Sequence, residues 1–185
     1  MESAKRYIPF AVNTNNELVT IDSIRQHIID GNAYRVSDSS FNIAADASLN
    51  YAFVTPAAKT YKVKFFVECD NSCNLRVLED SSWNYSGTAL TAYNFNRTKS
   101  TTCSASLYKD PDMAAKWATA GTLISSTWAF ATNTTGNNGR SAFGGLSDEY
   151  SMILAPSKRY LFNLVNKSAA TANLAVKIRI TEATV

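Results

Sequence analysis

From Asn32 onward the chain is a succession of short stretches in which apolar and polar positions alternate. The clearest runs from Lys59 to Cys69: Tyr61, Val63, Phe65 and Val67 share one face, and Lys62, Lys64, Phe66 and Glu68 the other. After Asp70-Asn71-Ser72, Cys73 to Glu79 reads as its hairpin partner, with Cys73, Leu75, Val77 and Glu79 on one side. Leu174 to Thr181 alternates as cleanly: Leu174, Val176, Ile178 and Ile180 face in, while Ala175, Lys177, Arg179 and Thr181 face out. Further strands are predicted at Tyr34–Ser37, Leu49–Thr55, Thr101–Tyr108, Leu123–Ala131, Tyr150–Leu154 and Arg159–Val165. Period-two segments with one wet face belong to antiparallel sheets. About eight or nine of them, punctuated by turn residues, predict an all-β protein, an antiparallel β-sandwich. Three long connections interrupt the series: Asp80 to Ser100, Asp110 to Gly121 with a short helix expected over Asp112–Trp117, and Thr132 to Gly145. Long loops joining strands of opposite sheets are what a jelly roll needs.

The first residues read differently. Tyr7-Ile8-Pro9-Phe10-Ala11-Val12 is apolar but unpatterned, and Asn13-Thr14-Asn15-Asn16 is a turn cluster. Asp22 to Gly31 fits one or two helical turns closed by glycine, or an extended segment. Residues 1–31 are therefore read as an amino-terminal arm, and residues 32–185 as the sandwich.

Composition supports a packed chain with a neutral surface. Of 185 residues, 45% are hydrophobic and 11% aromatic, but only 18% are charged, below the usual quarter. Ser 20, Thr 18 and Asn 17 take the place of charge. A chain of this size forms its own core without a metal or disulfide staple. No stretch approaches the ~20 apolar residues of a membrane helix, and no secretory signal is read at Met1 to Arg6. The net charge of +3 with scattered cations predicts no nucleic-acid partner and no membrane. Lys5-Arg6 and Lys158-Arg159 read as solvated pairs.

Candidate chemistry is sparse. One histidine, His27, excludes a multi-histidine metal centre, and no Gly-x-Ser-x-Gly elbow accompanies it. The glycine-rich Gly136 to Gly145 has neither the spacing nor the lysine of a phosphate loop. Cys69, Cys73 and Cys103 are an odd set read as reduced, structural thiols, although Cys69 and Cys73 bracket a turn that could hold a disulfide. Glu68 and Glu79 are the pair a glycosidase would use if they met across a cleft; solvated strand-end charges are the plainer reading. The sequons at Asn84, Asn96, Asn133 and Asn166 follow from abundant Asn, Ser and Thr. No cofactor, metal or catalytic set is expected. Interface-prone residue types do cluster: Trp83, Tyr85, Tyr93, Phe95 and Arg97 in one long connection, Arg140 and Phe143 in another, and Tyr7, Ile8, Phe10 and Val12 in the arm. An exposed aromatic row could alternatively stack on carbohydrate.

Several segments together resemble a group of tailed-bacteriophage virion proteins. Gln26-His27-Ile28-Ile29-Asp30-Gly31-Asn32-Ala33-Tyr34 looks like that family's histidine, then acid-glycine and aromatic, opening motif, with Ile29 where the family has a second histidine. Gly87-Thr88-Ala89-Leu90-Thr91-Ala92-Tyr93-Asn94-Phe95-Asn96-Arg97 is the most specific match. Ala120 to Ser125, Gly136 to Gly145, Lys158 to Asn166 and Leu174 to Ile180 follow in the family's order. The resemblance implies a non-enzymatic head-decoration, or cement, protein. Such proteins are commonly β-sandwiches that bind the major capsid protein, often as homotrimers, on the outside of the virion, after synthesis in the host cytoplasm. The alternative reading is a carbohydrate- or receptor-binding module of a fibre or tail, or another tail or baseplate component.

Overall fold

A computed structural model describes residues 11–12, 18–19, 23–81, 87–110, 121–129, 142–145 and 151–184. In chain order these form β1 (Ala11–Val12), β2 (Leu18–Val19), α1 (Ser23–Asp30), β3 (Ala33–Ile43), β4 (Ser48–Val54), β5 (Lys59–Cys69) and β6 (Cys73–Glu79). There follow β7 (Thr88–Ala89), β8 (Tyr93–Asn94), β9 (Ser106–Lys109), β10 (Thr122–Ala129), β11 (Ala142–Gly145), β12 (Met152–Leu154), β13 (Arg159–Asn166) and β14 (Ala172–Thr184). β1 and β2 pair with each other. The remaining strands make two antiparallel sheets. The first has the order β11-β5-β14-β3-β8, with β12 also on β5; the second has the order β10-β6-β13-β4-β9-β7.

The pairing is nested from the chain ends inwards: β3 with β14, β4 with β13, β5 with β12 and β11, and β6 with β10. Successive strands switch sheets from β3 to β6, from β10 to β11 and from β12 to β14, while β11 and β12 both stay on β5. A ribbon of antiparallel pairs wound in this way is a jelly roll, so the expected all-β sandwich is the observed one. The insertion carries β7, β8 and β9 and widens both sheets at the same side, β8 beyond β3 and β9 beyond β4.

The core lies between the sheets. Tyr61, Val63, Phe65 and Val67 of β5 and Leu174, Val176, Ile178 and Ile180 of β14 point into it, as their alternation predicts. Tyr51, Phe53, Leu75, Val77, Phe162 and Leu164 meet them from the second sheet. Phe65 stacks on Phe162 at 4.8 Å, and Tyr51 and Tyr61 approach Phe65 and Phe53 edge-on.

β13 departs from the one-wet-face rule. Leu161, Asn163 and Val165 point away from the core yet are buried, so the strand is covered on both faces and reads as a nearly continuous apolar run. Asn163 Nδ2 donates to Asn50 Oδ1 at 2.7 Å, which satisfies a buried polar pair in that layer. The first sheet keeps an open outer face, bearing Arg35, Lys62, Lys177 and Arg179.

Two sequence expectations need correction. Thr101–Tyr108 is strand only from Ser106, because the backbone before it is bound by side chains. Tyr34 donates to Thr102 O, Asn94 donates to Thr101 O, and Ser104 N donates to Glu182. The connection drawn from Thr132 to Gly145 ends in strand β11, whose Ala-Phe-Gly-Gly sequence carries no alternation to announce it. The helix expected over Asp112–Trp117 lies outside the described residues.

Candidate interaction face

Three polar side chains lock the Tyr93–Arg97 turn onto the end of α1. The helix closes with Gly31 at φ 79°; Gly31 N donates to Ile28 O and Asn32 N to His27 O, the two bonds of a Schellman cap. A Cβ at Gly31 would sit 2.9 Å from Lys99 Cγ and 3.0 Å from Thr101 Oγ1. Buried Asn94 donates to Gly31 O and to Thr101 Oγ1, each at 2.8 Å, and Thr101 Oγ1 donates onward to Gly31 O. Asn96 Nδ2 reaches Ile29 O at 3.1 Å, and Phe95 N donates to Ala33 O. Asn94 Oδ1 accepts from Asn96 N, and Asn96 Oδ1 from Thr98 N and Oγ1, so the turn is held internally as well. The sequon at Asn96 is thus a structural turn. So is the one at Asn166, whose fully buried amide serves Ile43 O, Ala44 O and Ala170 O.

Beside this turn the strand register gathers charge. Lys64 of β5 lies opposite Arg179 of β14, Arg179 opposite Arg35 of β3, and Arg35 opposite Tyr93 of β8. Like charges facing one another across strands destabilise a sheet. Arg179 is held over the Phe66 ring at 5.2 Å and Arg97 over the Tyr93 ring at 5.9 Å. Lys62, Lys64, Arg179, Phe95 and Ile28 line a groove of about 210 Å³. Arg35, Tyr93, Phe95 and Arg97 line an adjoining depression of about 500 Å³. Among the described residues, Glu68 is the carboxylate that points out from the strands of this face, and it is ion-paired with Lys177 at 2.5 Å.

Of the residues singled out in the sequence, Tyr93, Phe95 and Arg97 come together here; Tyr93 and Arg97 are exposed and Phe95 is half-buried. Val12 lies in β1, and Phe143 lies in β11 opposite Glu68. Tyr7, Ile8, Phe10, Trp83, Tyr85 and Arg140 lie outside the described residues. Arg35, Lys62, Lys64 and Arg179 were read from sequence as scattered; the register makes them neighbours. The signal was present in the outward positions of the alternating strands, but not the pairing that aligns them.

The other candidates do not assemble into chemistry. Glu68 sits beside the β5–β6 turn and Glu79 at the far end of β6, about 20 Å along the strand; Glu79 lies 4.0 Å from Lys158. His27 is half-buried on α1, and its Nδ1 is buried with no hydrogen-bond partner. The three cysteines are free. Cys73 Sγ donates to Cys69 Sγ at 2.9 Å; that bond lowers the Cys69 pKa and, with burial, raises that of Cys73.

One ionised group anchors the edge of the groove from within. Glu182 is 2% exposed and accepts from Lys59 Nζ at 2.6 Å, Ser104 N at 2.6 Å and Ser104 Oγ at 3.0 Å. Burial alone would raise its pKa. The Lys59 ammonium and the Ser104 donors outweigh burial and hold it below the ordinary carboxylate value. Its backbone N donates to Asn32 O, tying β14 to the residue that follows the α1 cap.

No protein-family model and no curated protein matches the chain. Among solved structures it shows a faint likeness to a chain of the infectious bursal disease virus T13 particle. The two are 12% identical over 95% of this chain and 43% of that one, with a TM-score of 0.18. The Gt strain of the same virus gives 10% identity over 96% and 47%, with a TM-score of 0.17. The chain thus spans less than half the length of either. At such scores these likenesses carry no argument.

Proposed function

We propose that the protein is a non-enzymatic virion component of a tailed bacteriophage that binds the major capsid protein on the outside of the head and stabilises the lattice. The observation that supports this reading is the joining of its two most distinctive motifs. Gln26–Tyr34 and Gly87–Arg97, far apart in sequence, are stitched together through Asn94, Asn96 and Thr101. They present Tyr93 and Arg97 on the open face of a jelly roll. The arrangement suits a clamp. Many copies, trimers by preference, each bury moderate surface across neighbouring capsid subunits, and multivalency makes the sum large. Light scattering and co-sedimentation with undecorated heads test it: an oligomer that saturates heads at a lattice-like ratio is expected.

A second reading rests on the exposed Tyr93 ring under Arg97, which could stack on a sugar. It makes the protein a glycan-binding module of a fibre or tail. A glycan array with saturable hits, together with no binding to heads, favours it.

A further inference from the structure

We infer that the groove between α1 and the Tyr93–Arg97 turn is a docking site for an acidic, carboxylate-bearing segment of a partner protein. This goes beyond head decoration and holds whichever protein supplies the segment.

The first argument is charge. Arg35, Lys62, Arg97 and Arg179 converge on one side of the first sheet. Arg35 and Arg179 face each other in direct register, a placement that works against the sheet unless an anion lies between them. The one outward carboxylate of these strands among the described residues, Glu68, is already matched by Lys177.

The second argument is pre-organisation. Each of two guanidinium groups rests on a ring, Arg179 on Phe66 and Arg97 on Tyr93. A cation held over a ring gives up part of its freedom before a ligand arrives, and a guanidinium takes a carboxylate bidentately. The Asn94–Gly31 and Asn96–Ile29 bonds fix the wall that carries Arg97.

The third argument is size and lining. The cation row crosses β5, β14, β3 and β8, a span of about 14 Å at ordinary strand spacing. That suits a short peptide with a few acids. It is too short for the roughly 6 to 10 phosphate contacts of a typical duplex-binding surface. Ile28 and Phe95 add apolar walls for the intervening side chains.

The test uses the full chain and calorimetry at low salt. The probes are a glutamate-rich octapeptide, its glutamine analogue, an oligothymidylate and a sulfated oligosaccharide. Saturable binding of the glutamate peptide, weakened by salt and lost with the glutamine analogue, is expected. The double substitution Arg35→Gln and Arg179→Gln should weaken it by on the order of tenfold or more, whereas Lys167→Gln, at the exposed Asp46 pair, should not. If the double variant fails to fold by circular dichroism, Lys62→Gln with Arg97→Gln takes its place. No binding at millimolar peptide, or full retention by these variants, overturns the proposal. So does tighter binding of either polyanion in the same groove. Head co-sedimentation is read separately, so failure here leaves the decoration reading to its own test.

Discussion

At the level of single residues, the polar groups that matter are buried asparagines and one glutamate. Glu182 has a folded pKa below its ordinary value near 4.5. The unfolded chain therefore binds more protons in the acid range, and the stabilisation is present above that value and lost as pH falls through the folded one. Glu182→Gln should cost about 2 kcal/mol near neutrality and flatten the acid limb of melting temperature against pH; an unchanged acid limb would assign it to other groups. Little of this was legible in sequence. Glu182 sits at an inward position of a strand whose other inward residues are apolar, a hint that only its partners Lys59 and Ser104 make intelligible. Asn166 was visible as a sequon, but its role as the hub of a buried turn depends on backbone from β3 and from the turn before β14.

Among the elements, the long strands were readable and the short ones were not. β5 and β6 start and stop where alternation and the Asp70–Ser72 turn place them. From Tyr61 to Cys69 each inward residue of β5 meets the core and each outward one, Phe66 excepted, is charged, so period two is unbroken there. β7 and β8 are two residues each, too short to carry a period; Asn94 side-chain bonds hold β8, and no local pattern encodes those. The choice for Asp22–Gly31 between helix and extension is settled by the Gly31 cap. The stacked Phe65–Phe162 pair joins β5 to β13 across the two sheets. Phe162→Ala should destabilise by about 4 kcal/mol in chemical denaturation with an unchanged denaturant slope. The arm provides a functional prediction at this scale. Removing Met1 to Val19, which leaves α1 in place, should keep the strand signature and melting cooperativity while abolishing binding to heads. A truncated protein that still saturates them would remove the arm from the contact.

For the molecule as a whole, the two sheets are unequal. The second is buried on both faces at β13, while the first leaves a basic, aromatic-edged face open. Net charge and composition concealed this. A formal +3 looks unremarkable, because the cations align only once the jelly roll sets β5, β14 and β3 side by side. On the proposed reading the open face meets the partner, and repeated copies would turn modest contacts into a firm hold. The most direct test of that account is sedimentation of undecorated phage heads with increasing amounts of the full-length protein, read as copies bound per capsid subunit. The account predicts saturation at a fixed, lattice-like ratio, with heads that then resist heat or chelation better than bare ones. Protein that stays in the supernatant at every ratio, as a stable oligomer indifferent to heads, would contradict it.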